Sequence, residues 1–225
     1  MREVASKHPA GTVGVLVGPL SRYRALYTSL EKLKVPEGTA LVFEEGIDVA
    51  RNCNKLVEQH MTGDWLWLMG DDHRFGPDIL MALLDRKVEI VAPVVGQRGE
   101  PFRPVCYKRA VPMGKDNQMY TWEMLGAEHP NGGLIEVDAA GSAGMLIRKW
   151  VFDALPKPWF AYTPFTSEDI GFCVNARAGG YKIHVDLDHT MSHITPCDLE
   201  PTRNAEGKWH VAVNVDGRRT PMVFA

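Results

Sequence analysis

Short apolar runs alternate with stretches of helical period along the first ninety residues. Thr12 to Val17 reads TVGVLV and closes on Gly18-Pro19, the pattern of a strand buried on both faces. Residues 21–34 then carry Leu26, Leu30 and Leu33 at helical spacing. Ala40 to Phe43 predicts a second strand. Residues 47–60 predict a helix with Ile47, Ala50, Asn54 and Val57 near one face. Asp64 to Met69 (DWLWLM) predicts a third strand, and the polar cluster Gly70-Asp71-Asp72-His73 follows it at once. Pro77 suits the first turn of a helix running through Leu84, and Glu89 to Ala92 completes a fourth strand.

Such alternation implies an α/β fold with a mostly parallel, Rossmann-like central sheet flanked by helices. In sheets of this kind ligands gather at the carboxyl ends of the strands, where Asp71, Asp72 and His73 fall. Residues 94–133 break the pattern. They are rich in Pro, Gly and Arg, with short candidate strands at Val105–Lys108 and Met119–Met124, and read as an irregular or hairpin insertion. Order returns at Leu134–Val137 and Met145–Ile147, then in a helix from Ser167 to Arg177 stopped by Gly179-Gly180, and in a last core strand Tyr181–Val185. The chain divides into a main domain, 1–197, and a tail, 198–225, whose Asp216-Gly217 signals a small hairpin.

The bulk numbers narrow the chemistry. With 225 residues, 45% of them hydrophobic, the chain can bury a sizeable core. A net charge of -3 leaves no basic footprint for nucleic acid, so a phosphate-bearing ligand needs a local device such as a metal or a few placed basic groups. Cys53, Cys106, Cys173 and Cys197 form no CxxC pair, which argues against a zinc knuckle or disulfide scaffold and fits a reducing compartment. The opening residues lack the apolar core of a secretory signal, and no run reaches the roughly 20 apolar residues of a membrane span. A cytoplasmic location is the expectation.

Five features carry candidate chemistry. Asp71, Asp72 and His73 pack two carboxylates and an imidazole behind a buried strand. A divalent cation would neutralise them, and oxygen-plus-imidazole ligands favour manganese or magnesium; a solvated, helix-capping loop is the plain alternative. Thr166-Ser167-Glu168-Asp169 serves equally as an ordinary helix N-terminus or as a source of an acid that accepts a proton from a hydroxyl. His193 on its own reads as a surface or core histidine, and His184 and His189 lack a recognisable metal motif. Arg51-Asn52 marks either a solvated helix face or contacts to a nucleotide's base, ribose or phosphates. The glycines of residues 140–144 permit close approach to a ligand or make a turn.

Their order adds what none gives alone. An early apolar strand precedes Ala50-Arg51-Asn52, then comes the strand ending in Asp71-Asp72-His73. About seventy residues later GSAGMLIR appears, then SEDIGFCVNARAGGYKI, and last His193. This order resembles the GT-A fold glycosyltransferases, particularly family 2 and its relatives among polypeptide N-acetylgalactosaminyltransferases, over roughly residues 12–195.

The resemblance implies a metal-dependent transferase moving a sugar from a nucleoside diphosphate, most commonly uridine diphosphate, to a hydroxyl of a protein, glycan or small molecule. It assigns Asp71, Asp72, His73 and His193 to a Mn2+ or Mg2+ site. Aligned as DxD, the motif's first acid falls on Gly70 and only Asp72 remains; aligned as DxH, Asp71 and His73 take the ligand roles. Asp72 stands near the metal in either alignment, with Asp71 and His73 sharing the remaining ligand or ribose contact. The resemblance places Val17, Gly18, Arg51, Asn52, Asp71 and Gly144 around the donor, Asp169 as the base and Glu168 orienting hydroxyls. Inversion or retention stays open.

Three other readings compete with this one. A metallophosphoesterase needs an early DxH and a later GNH, and neither occurs. A sugar nucleotidyltransferase needs a Gly-rich basic loop after the first strand, where only Gly18-Pro19, Ser21 and Arg22 stand. A non-catalytic carbohydrate-binding protein gives no reason for both acidic clusters to sit at ligand-side strand ends.

Overall fold

The computed structural model describes residues 1–18, 24–98, 103–113, 119–124, 132–164, 166–203, 206–207, 209–215 and 218–221. Strand β1 (Arg2–Val4) precedes β2 (Thr12–Val17), the helix α1 (Arg24–Lys32), and β3 (Lys34–Pro36), which pairs in parallel with β1. Next come β4 (Ala40–Glu45), α2 (Val49–Lys55), β5 (Trp65–Gly70), the two-residue β6 (His73–Arg74), α3 (Ile79–Asp85) and β7 (Ile90–Val95). The second half contributes β8 (Cys106–Met113), β9 (Met119–Met124), β10 (Leu134–Val137), β11 (Ala139–Ala140), β12 (Met145–Arg148), α4 (Lys149–Ala154), α5 (Glu168–Ala178) and β13 (Ile183–His193). The strands β14 (Cys197–Arg203), β15 (Trp209–Val215) and β16 (Arg218–Pro221) form a separate antiparallel sheet. The Asp216-Gly217 turn expected between the last two lies outside the described residues.

The main sheet has the order β10-β13-β7-β12-β5-β2-β4, with β6 added against β13. The pairs β4–β2, β2–β5 and β7–β13 are parallel; β12 runs antiparallel between β5 and β7, and β10 antiparallel to β13 at the edge. The central strands β2, β5, β7 and β12 are buried on both faces, which is why they read as continuous apolar runs. On β5, Trp65, Trp67 and Met69 pack with Val13, Leu26 and Leu80 in one layer, while Leu66 and Leu68 pack with Leu56 and Phe172 in the other.

Several expectations need correcting. The helix expected over 47–60 is α2 plus one wider, π-type turn over Leu56–His60. Asp48 caps it by accepting from the Arg51 N–H at 3.0 Å, so Ile47 stands outside, 86% exposed. Pro77 lies just ahead of α3 and its carbonyl accepts from the Lys34 N–H at 2.8 Å. The hairpin expected within 94–133 is present as β8 with β9, and β11 adds a third strand to it.

The largest difference is β13, which continues eight residues beyond Val185 to His193. Asp186 and Thr190 pair with adjacent residues of β7, Pro93 and Val94, so the residues between them bulge out of the ladder. Arg86 pins that bulge with two hydrogen bonds to the fully buried Asp186, at 2.8 and 2.7 Å, and one to Asp188 at 2.6 Å. His189 contacts Asp186 at 3.0 Å, and the His184 ring lies against the Ile90 carbonyl, so both histidines have structural partners.

Candidate functional site

Strand direction brings the site together. Because β12 is antiparallel, its first residue Met145 lies opposite Leu68 near the carboxyl end of β5. The loop 141–144 therefore opens at the same sheet end as the turn after β5, and β13, parallel to β7, delivers His193 there as well. The short β6 completes the arrangement: His73 pairs with His193, and the Ile194 N–H donates to the Asp72 carbonyl at 2.7 Å.

The ligand atoms of Asp72, His73 and His193 all lie within 4.8 Å of one another. Asp72 Oδ1 is 2.9 Å from His73 Nδ1, and its Oδ2 is 3.1 Å from His193 Nε2. The two imidazoles stack with centroids 4.6 Å apart. Burial, and next the neighbouring His193 ring, push His73 down to about 4, so it is neutral at ordinary pH. Its Nδ1 faces the Gly70 carbonyl at 3.3 Å and the Asp72 carboxylate, both acceptors, so Nδ1 carries the hydrogen and Nε2 the lone pair. That Nε2 is buried and has no hydrogen-bond partner among the described residues. A buried basic lone pair beside a carboxylate and a second imidazole is a donor set that fits a divalent cation.

Asp71 is not one of that group. The turn sends its side chain the other way, where Oδ2 accepts from the Gly18 N–H at 3.2 Å while the Asp71 N–H donates to the Leu16 carbonyl. Val17, Gly18 and Asp71 are thus joined at the carboxyl ends of β2 and β5.

The acid pair lies at the start of α5. Ser167 is the N-cap residue, and its hydroxyl donates to Asp169. Asp169 also accepts from the Ile170 N–H at 2.8 Å and the Ser142 N–H at 3.4 Å, which ties it to the loop before β12. Burial, then the charge of Asp169, raises Glu168 above the ordinary carboxylate range. The Cys53 thiol, buried beneath them, is pushed up by burial and then by both acids.

Three other expected residues have different surroundings. Gly144 has φ of 74°, and a Cβ there would meet Met191 Sδ at 2.4 Å and Pro93 Cγ at 2.7 Å, so packing alone requires glycine. Arg51 is exposed and lines a groove of about 520 Å³ with Lys55, Glu58 and Lys157, which holds none of the acid–imidazole group. Asn52 is buried against Gly46. Sequence reasoning missed Arg98, whose guanidinium contacts Asp72 and donates from Nε to His193 Nε2 at 3.3 Å. Its one signal was a cation standing three residues past the apolar run of β7.

No family model matches the chain, and no curated protein matches it in sequence. Solved structures do. A197 from STIV aligns over 88% of this chain and 93% of its own, at 12% identity and TM-score 0.52. GalNAc-T7 with UDP, GalNAc and Mn2+ aligns over 84% of this chain at 10% identity and TM-score 0.56. S. aureus TarS aligns over 81% at 10% identity and TM-score 0.50. The chain spans 44% of the GalNAc-T7 structure and 36% of the TarS structure. At such identities the likeness establishes the fold, which is of the GT-A type. Among the described residues no helix is long and apolar enough to cross a membrane.

Proposed function

We propose that this chain is a metal-dependent glycosyltransferase that moves a sugar from a nucleoside diphosphate, a uridine diphosphate sugar by first choice, to an acceptor hydroxyl. The carrying observation is the convergence of Asp72 and His73, just after β5, with His193 of β13, 121 residues beyond Asp72, at one end of a GT-A type sheet. The bound UDP and Mn2+ of the GalNAc-T7 structure support the choice of donor and ion.

Asp72, His73 and His193 would hold Mn2+ or Mg2+, which as a Lewis acid offsets the charge that builds on a departing diphosphate. In this reading Asp71, with Val17 and Gly18, meets the donor's ribose or nearby phosphate. Asp169 takes the proton from the attacking hydroxyl, since its carboxylate is fixed by the Ser142 and Ile170 N–H groups and by Ser167. Glu168 orients sugar or acceptor hydroxyls. The reading keeps Arg51, Asn52 and Gly144 on the donor side, with the burial of Asn52 against Gly46 and the packing of Gly144 against Met191 and Pro93 as structural requirements beside that role.

Residues 1–197 form the catalytic unit in this reading, with its hairpin of β8 and β9 and the following sheet of β14–β16 as acceptor-side elements. Purified protein with Mn2+ should release or transfer sugar from at least one nucleotide sugar, and Asp72→Asn should abolish this while its circular dichroism stays that of the parent. A broad donor panel giving neither binding nor turnover sinks the reading.

A further inference from the structure

The contacts of Arg98 raise a question of charge. His193 Nδ1 lies 3.2 Å from the Gly96 carbonyl, which can only accept, so Nδ1 bears the hydrogen. Arg98 Nε–H points at His193 Nε2 from 3.3 Å, so Nε2 presents its lone pair. Yet that lone pair stands 3.1 Å from Asp72 Oδ2, a second acceptor. Two acceptors so close repel unless a cation serves both, and the guanidinium of Arg98, in contact with Asp72 and His193 alike, is that cation.

Asp72 Oδ2 and His193 Nε2 are also atoms that the proposed function gives to a divalent ion, and the inference rests on that reading. One guanidinium and one metal ion cannot both hold the same lone pairs. The Arg98 side chain is 45% exposed, so it can leave without unpacking the core. We propose that Arg98 is a displaceable internal cation. It holds the acid and imidazole in register before the ion arrives, is expelled when the ion binds, and then pairs with the diphosphate that the ion brings. A merely structural ion pair would instead stay in place and support the metal ligands.

The two roles predict opposite signs. Binding of Mn2+ alone should be measured by calorimetry on the full chain, wild type against Arg98→Met, and again with UDP added. Displacement predicts Mn2+ binding to Arg98→Met roughly 5- to 30-fold tighter than to wild type, since competition is removed. It predicts UDP binding in saturating Mn2+ weaker by roughly 10-fold or more, since a charge-assisted phosphate contact is lost. Arg98→Lys, which keeps a charge without the planar fork, should fall between the two in both arms. Mn2+ binding that is unchanged or weakened in Arg98→Met overturns the inference and leaves the metal reading standing. If none of the three proteins binds Mn2+, the metal reading itself has failed.

Discussion

Replacing His73 tests whether its environment is as dry as the structure implies. The ring is 4% exposed, and its pKa falls from the ordinary 6.5 to about 4. Below pH 6.5 the unfolded chain takes up a proton that the folded chain refuses, so stability from this group is present above 6.5 and lost as pH falls toward 4. At about 1.4 kcal/mol per pH unit, the loss between pH 8 and pH 5 is about 2 kcal/mol and approaches about 3 below pH 4. Urea unfolding of wild type and His73→Phe, both in EDTA, measures it as the difference of two pH profiles. Subtracting the profiles cancels groups that do not touch His73, including Glu168, whose raised pKa works in the opposite direction. The variant keeps a flat ring against His193 but cannot titrate. Wild type should lose about 2 kcal/mol more than His73→Phe over this range. Parallel profiles would mean that His73 is solvated or charged, and a dry ligand site would be refuted.

Asp169→Asn should lower kcat by roughly 10²- to 10⁴-fold with little change in UDP binding, the mark of a lost base, read by steady-state kinetics with calorimetry. Because burial and then the charge of Asp169 raise Glu168, the acid limb of the rate profile should move to lower pH in Glu168→Gln. Phe172→Ala empties the stack that Phe172 makes with Phe160, centroids 4.7 Å apart beneath α5, and should cost about 3–5 kcal/mol by denaturant unfolding. Gly63→Ala should destabilise the fold as well, since φ is 73° and the added Cβ would lie 2.2 Å from the Ala10 carbonyl oxygen.

Much of the scaffold was legible because buried strands write themselves as apolar runs: TVGVLV and WLWLM stand in the structure as β2 and β5. Direction was not legible. Nothing in MLIR tells that β12 runs against its neighbours, yet that reversal puts the loop 141–144 beside the acidic turn. The length of β13 was hidden because IHVDLDHTMSH is rich in polar residues, and its bulge is held by Arg86, a hundred residues away in sequence. The acidic cluster after β5 points to Asp72 and His73 from the sequence alone, whereas His193 follows from the family resemblance rather than from any spacing. Asp71 was named with them, but neighbours in a tight turn point apart, and its carboxylate went to Gly18. Arg98 escaped notice in a stretch rich in Pro, Gly and Arg, where position is set by the bridge of Gly96 with Pro104 and by pairing across the fold.

The central claim is that Asp72 and the two histidines bind an ion that in turn holds a diphosphate. Calorimetric titration of UDP into the protein, in Mn2+ and then in EDTA, addresses it most directly. Wild type should bind UDP in Mn2+ and lose at least about 100-fold in affinity in EDTA, and Asp72→Asn should show the weak binding in both buffers. Equal UDP affinity with and without Mn2+, or an Asp72→Asn protein that binds as wild type does, would contradict the account.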